Sequence, residues 1–463
     1  MHPIHRVPSE ILSEIFVECL PSKYLDPKPS EAPLLLAAVA SGWRNLAIAT
    51  PRLWSRISLN LDESSRDDSG IIQLFLCWLA RSGGSPLSLD VFCGWNRQSP
   101  GEYTPKSLSP VLLRALNECS SRWQDIEFSL SPDDFRQLQA KEGLLMLRKL
   151  NVTFIGGDEI PSEVPLTIFS NAPALRDVRL SQGIELRDLA LPMGQLHRLR
   201  TSTLSDAGQL FHILREAPNL VSFETHIETH SMWRTDVRCE NLRSLSVYFP
   251  HGFWIDILDS LTCPALETLK LDSSGEPSSI ELNHLLRFIS RSSLRFLSIE
   301  LPQSDTVDSL PFTDLPECLL AAPRLEQFSV TSLGRAAAND LFGRLSVLDA
   351  AEPFLPFLHT LRIGVCPKAL WGANRARDWT YDQVLPMLVY RWNVPPGGTL
   401  AQLRDFHMDV TDLDYGPDPS LKLPKRNSAV FAQMEALVAE GMKIWIDEAR
   451  KEGTYIDRED YVC

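Results

Sequence analysis

A spacing constrains this chain more than any other feature. Apolar residues recur as apolar-x-x-apolar-x-apolar at Leu147/Leu150/Val152, Leu175/Val178/Leu180, Leu220/Phe223/Thr225, Leu242/Leu245/Val247 and Leu266/Leu269/Leu271. The series continues at Leu294/Leu297/Ile299, Leu325/Phe328/Val330, Leu358/Leu361/Ile363 and Leu403/Phe406/Met408. A weaker copy sits at Leu196/Leu199/Thr201, and Trp123/Ile126/Phe128 extends the series upstream. Any amphipathic helix yields Leu-x-x-Leu, so the flanks decide. Four copies follow the same corner: Ala172-Pro-Ala-Leu175, Ala217-Pro-Asn-Leu220, Cys263-Pro-Ala-Leu266 and Ala322-Pro-Arg-Leu325, with Cys239-Glu-Asn-Leu242 a copy lacking the proline. Proline cannot continue a helix and biases the residue before it toward extended backbone. Upstream segments such as Leu210-Phe-His-Ile-Leu-Arg215 have helical character. Each unit therefore reads as helix, corner, and short strand with one buried face.

Units of this kind stack side by side into a parallel sheet with helices on its other face. From Leu147 to Leu403 the cadence takes nine steps of about 28 residues each, at the upper limit of the leucine-rich repeat, and the steps vary from about 21 to about 45. The array resembles an irregular leucine-rich-repeat solenoid, without the Asn ladder of the standard consensus. Trp54-Ser-Arg-Ile57-Ser-Leu59 and Leu87-x-Leu89-x-Val91 are expected to lead into it. Residues 62–70, 99–110 and 411–428 read as loops and 366–398 as an insertion. Ser428 is placed to cap a helix through Phe431, Met434, Leu437 and Val438 that ends at Gly441, and Met442–Ile446 has strand character.

The first 60 residues differ. Ser9 is placed to cap a helix through Glu10–Leu20, with Ile11, Leu12, Ile15, Phe16 and Cys19 at helical spacing. After a proline-rich loop, a second helix is expected from Leu34 towards Ile48, followed by Pro51-x-Leu53-Trp54. Two such helices cannot bury all their apolar surface alone. Val7-Pro8-Ser-Glu10-Ile11-Leu12 followed by Ile15-Phe16 resembles the opening of an F-box. Val39-Ala-Ser-Gly-Trp43-Arg44-Asn-Leu46-Ala47 followed by Leu53-Trp54 resembles its second half. Val7 stands where Leu is usual, Ala40 where Cys is common, and the loop between the helices is long. The pattern is similar to the F-box-like proteins of mushroom-forming fungi.

The fold class expected is thus α/β: a small α-helical F-box module (1–60), a leucine-rich-repeat-like solenoid (61–427), and a helix–strand cap with a tail (428–463). The resemblance implies a substrate adaptor of an SCF-type ubiquitin ligase, docking on a Skp-type adaptor protein through Val7, Pro8, Ile11, Ile15, Leu36, Val39 and Ala40. The alternative is a protein-binding repeat scaffold with no ligase role.

Composition narrows the remaining classes. The formal charge of −14 disfavours nucleic acid and anionic membranes as partners. No apolar stretch reaches the roughly 20 residues of a membrane span, and the N-terminus lacks a secretory core, so the expected location is intracellular, in cytoplasm, nucleus or both. The nine cysteines include no CxxC pair; Cys239 and Cys263 occupy equivalent repeat positions and read as small apolar filler. There is no phosphate loop, HExxH, GxSxG or kinase signature, so neither enzyme activity, cofactor nor metal is expected. His226 and His230 lack a third ligand nearby.

The target is expected on the sheet. The residue between the last two apolar positions of each strand points away from the core: Asn151, Arg179, Glu224, Ser246, Lys270, Ser298, Ser329, Arg362 and His407. Arg179, Glu224, Lys270, Arg362 and His407 are the candidate target-binding residues, with an unidentified protein as partner.

Overall fold

The structure is a computed structural model. It describes residues 6–21, 28–61, 69–99, 102–156, 165–181, 184–229, 235–249, 255–273, 282–300, 315–333, 335–347, 353–365, 384–395, 400–409 and 429–447. The chain divides into two compact units, residues 1–204 and 205–463.

The first unit begins with helices α1 (Ser9–Glu18), α2 (Leu34–Val39) and α3 (Ser41–Ile48), then a 3-10 turn over Pro51–Trp54. Two expectations fail here. The helix expected from Leu34 towards Ile48 is broken at Ala40, whose backbone is extended (φ −157°, ψ 159°). Arg44 fixes the break: its amide donates to Ala40 O at 2.9 Å to start α3, and its Nε donates to Ala37 O at 2.9 Å. Ser9 does not cap α1; the cap is Pro8, whose carbonyl accepts from the Leu12 amide at 3.0 Å, so Ser9 is already inside the first turn.

Strand β1 (Arg56–Leu61) follows, then α4 (Ser69–Arg81), β2 (Leu87–Cys93), β3 (Trp95–Ser99), β4 (Glu102–Pro105), α5 (Pro110–Glu118), β5 (Trp123–Leu130), α6 (Pro132–Gln137), β6 (Lys149–Phe154), β7 (Asp177–Leu180) and β8 (Arg198–Thr201). Strands β1, β2, β5, β6, β7 and β8 lie side by side, all parallel. Register stacks Ile57, Leu89, Ile126, Leu150, Val178 and Leu199 in one buried ladder, and Leu59, Val91, Phe128, Val152 and Leu180 in another. Fully burying one such side chain contributes about 1.5–3 kcal/mol, so the repeats hold together through these ladders. Residues 99–110 are not a loop throughout: β3 and β4 form an antiparallel hairpin. Its base is tied to the sheet through Gly94, whose amide donates to Leu61 O at 3.0 Å.

In the second unit the chain passes from β9 (Leu204–Asp206) into α7 (Ala207–Glu216), β10 (Ser222–Thr229), β11 (Val237–Arg238), β12 (Ser244–Phe249), α8 (Ile255–Ser260), β13 (Leu261–Thr262), β14 (Thr268–Ser273), α9 (Leu282–Ser290) and β15 (Phe296–Glu300). It continues through α10 (Leu315–Leu319), β16 (Gln327–Leu333), α11 (Arg335–Leu345), β17 (Thr360–Val365), α12 (Val384–Trp392), β18 (Asp405–Asp409), α13 (Ala429–Ala439) and β19 (Lys443–Asp447). Strands β10, β12, β14, β15, β16, β17, β18 and β19 are parallel neighbours. The ladder Phe223, Leu245, Leu269, Leu297, Phe328, Leu361 and Phe406 is buried throughout. The expected insertion at 366–398 contains helix α12, which supplies buried Val384, Met387 and Leu388. Helix α13 and strand β19 form the expected last helix–strand unit; Ser428 and residues 411–428 lie outside the described residues.

The corners have a common construction. The amides of Leu175, Leu220, Leu266 and Leu325 donate to Ala172 O, Ala217 O, Cys263 O and Ala322 O at 3.0–3.1 Å, each closing a four-residue turn with proline at its second position. Leu355-Pro-Phe-Leu358 is a further copy, closed at 3.2 Å. These leucines are buried, but they sit in the turn before each strand rather than on it: Leu175 precedes β7, which starts at Asp177. Nor is every corner preceded by a helix. The Cys239 and Cys263 corners follow β11 and β13, which pair in parallel with Val237 opposite Leu261.

Candidate functional site

The N-terminal helices present one candidate surface. Leu12 and Phe16 turn inward, and the Phe16 ring meets Trp43 of α3 with centroids 4.9 Å apart. Fully buried Trp54 donates from Nε1 to Ala47 O at 2.8 Å, locking the 3-10 turn to α3. The same indole meets Trp78 of α4 edge-on at 5.0 Å, and the Arg81 guanidinium lies 4.4 Å from its ring centroid. The helices are thus bolted to the first repeat through Trp54.

With that face spent, other apolar side chains are left in water. Ile11 and Ile15, one turn apart on α1, are 54% and 46% exposed; Leu35 and Val39, one turn apart on α2, are 46% and 59% exposed. Of the residues expected to meet a partner, Pro8, Ile11, Ile15, Val39 and Ala40 are exposed and Val7 is half-buried. Leu36 is buried, a correction: the outward place belongs to Leu35. Leu35 and Leu36 both lie on α2, before the break at Ala40.

The sheet presents the second candidate surface. In the second unit, register aligns Glu224, Ser246, Lys270, Ser298, Ser329, Arg362 and His407 in one row, ending on Trp445. Lys270 and Arg362 are exposed, whereas Ser298 is buried. The Lys270 ammonium lies 5.5 Å from the centroid of Phe296, and the His226 and Tyr248 rings meet at 4.7 Å two residues further along their strands. His230 lies outside the described residues, and no group of three or more His, Cys, Asp or Glu among the described residues is placed to hold a metal ion.

In the first unit the equivalent row is Ser58, Asp90, Glu127, Asn151, Arg179 and Arg200. Arg179 was anticipated, while Asp90, Glu127 and Arg200 were missed. The same alternation marks them, since each lies between the last two core positions of its strand. Ser58 Oγ donates to Asp90 Oδ2 at 2.9 Å, and Asn151 Nδ2 donates to Glu127 Oε1 at 2.9 Å. Partial burial raises the pKa of Asp90, opposed by the Ser58 hydrogen bond. Glu127 is raised by burial and then by the Asp90 charge, opposed by Asn151 and Arg179.

Cys239 and Cys263 are both buried, with the Cys239 amide donating to Thr262 O at 2.9 Å. Their thiols share a hydrogen bond, which lowers Cys239 and, together with burial, raises Cys263.

Residues 128–344 match a family model described as "At1g61320/AtMIF1, LRR domain". No curated protein matches the chain. The match supports a leucine-rich-repeat-like region there, an architecture suited to holding proteins along an extended face. No helix among the described residues is long and apolar enough to cross a membrane.

Proposed function

We propose that this chain is the substrate-recognition adaptor of an SCF-type ubiquitin ligase, its N-terminal helices docking on a Skp-type adaptor and its repeat sheet holding the target. The observation that carries this reading is the pair of exposed apolar turns, Ile11/Ile15 and Leu35/Val39, on helices whose sequence resembles an F-box. Apolar side chains at one-turn spacing in water are a docking face rather than a core, and a well-packed anchor there contributes about 2 kcal/mol or more to association. The Trp54 junction supports the same reading, because it fixes the docking helices to the first repeat.

The target half rests on the row through Glu224, Lys270, Arg362 and His407. On a chain of net charge −14, exposed Lys270 and Arg362 supply local positive charge suited to an acidic or phosphorylated segment. The reading involves no catalysis or cofactor by this chain and places it inside the cell. A repeat scaffold without a ligase role is the competing reading, and adaptor binding separates the two. The full-length chain is co-expressed with the host's Skp-type adaptor, alongside Pro8→Ala/Ile11→Ala. Capture by the wild type and loss in the double variant, with unchanged thermal unfolding, supports the adaptor. Failure of the wild type to capture it leaves the scaffold.

A further inference from the structure

Cross-strand neighbours of like charge destabilise a sheet, and neighbours of opposite charge stabilise it. The first unit obeys this rule in one row and breaks it in the next. Two residues upstream of the central row, Asp125, Lys149, Asp177 and Arg198 are successive partners across β5, β6, β7 and β8, and their signs alternate. Arg198 Nη1 lies 3.5 Å from Asp177 Oδ2. In the central row the signs are segregated. Asp90 is the direct partner of Glu127, and Arg179 is the direct partner of Arg200, with Asn151 between the two pairs.

At both contacts, like charges face each other across adjacent strands. The carboxylates are half-buried and accept hydrogen bonds from neutral donors, Ser58 and Asn151. The two guanidinium groups belong to exposed residues on adjacent strands about 4.8 Å apart. A row that served only the fold would alternate as its neighbour does.

We infer that this row is a two-signed docking strip for an extended protein segment that lays a basic side chain over Asp90–Glu127 and an anionic one over Arg179–Arg200. Glu127 and Arg179 are two strands apart, about 10 Å, and a polyproline-II segment advances about 3.1 Å per residue with about three residues per turn, so side chains three apart face the same way. The segment that fits therefore carries its cation and its anion about three residues apart and runs across the strands. The anion is a carboxylate or a phosphate, which the paired guanidinium groups accept alike. This rests on the reading of the repeat sheet as the target-holding part, and is independent of whether the N-terminal helices bind an adaptor.

The test uses the full-length chain and fluorescent twelve-residue peptides with an otherwise alanine–serine sequence. The central four residues are Lys-Ala-Ala-Asp, Lys-Ala-Ala-phosphoserine, Lys-Ala-Ala-Lys, Asp-Ala-Ala-Asp or Ala-Ala-Ala-Ala. Wild type is expected to bind one or both two-signed peptides at least about 10-fold more tightly than the other three, and the first two arms tell carboxylate from phosphate. Arg179→Glu/Arg200→Glu makes the strip uniformly acidic and is expected to move the preference to Lys-Ala-Ala-Lys. The milder Asp90→Asn/Glu127→Gln, which keeps the shapes and the Ser58 and Asn151 hydrogen bonds, is expected to lose the two-signed preference. Equal binding of all peptides, a wild-type preference for a single-signed peptide, or an unmoved preference in both variants overturns the proposal. So does concentration-dependent self-association that these substitutions abolish, which would make the occupant a second copy of the chain. Adaptor capture in the same preparations is read separately, so failure of the strip and failure of the ligase reading are distinguishable.

Discussion

Arg391 Nη2 donates a 2.7 Å hydrogen bond to the carbonyl oxygen of Leu355, a non-glycine residue held at φ +47°. Leu355 opens the corner that feeds β17, and the left-handed conformation costs an L-residue about 1–2 kcal/mol. The guanidinium also reaches Leu358 O at 3.3 Å and Phe354 O at 3.4 Å, so one buried side chain gathers three carbonyls of the turn. Burial lowers its pKa to about 10, which leaves it a cation at neutral pH. Arg391→Met removes the donor and leaves buried acceptors, and a loss of about 2 kcal/mol or more is expected. A shifted urea midpoint, with β17 amides losing exchange protection before those of β1–β8, checks it.

Gly156 is a second such position. Its φ is +71°, and a Cβ there would lie 2.0 Å from Cγ of Pro105 at the end of the β3–β4 hairpin. Gly156→Ala is expected to displace the hairpin and cost about 1–3 kcal/mol through strain and overlap. Hydrogen exchange should rise in β3 and β4 while β10–β19 stay as they were.

The carboxylates of the central row give a pH signature. Their folded pKa values are raised above the unfolded ones, so between those values the native state holds more protons. Stability contributed by the pair therefore falls as pH rises through that window and is greatest below the ordinary carboxylate values. Asp90→Asn/Glu127→Gln is expected to melt above wild type at pH 7 and to lose that advantage by about pH 4. Thermal unfolding at both values is the measurement. A wild type more stable than the variant at pH 7 would mean that the row serves the fold.

The fold was legible where burial imposes a period. Leu150, Val178 and Leu199, or Leu269, Leu297 and Phe328, are stacked in register because each strand must turn the same positions inward. The outward row from Glu224 to His407 follows from the same alternation. What stayed hidden is not periodic. The Ala40 break depends on one backbone conformation and on Arg44, and adjacent Leu35 and Leu36 differ only in which side of the short α2 they fall on. The β3–β4 hairpin runs into a proline- and polar-rich stretch that reads as loop, and its end, Pro105, lies against Gly156, 51 residues later in the chain. The sign segregation of Asp90, Glu127, Arg179 and Arg200 appears only once strands distant in sequence are placed side by side.

The adaptor role turns on the exposed apolar side chains of the N-terminal helices. The most direct measurement is amide hydrogen exchange of the full-length chain with and without a saturating Skp-type adaptor. New protection over Ser9–Glu18 and Leu34–Val39, with β10–β19 unchanged and the effect absent in Ile11→Asp/Val39→Asp, is the predicted result. No protection in either helix, or protection confined to the strands, would contradict it.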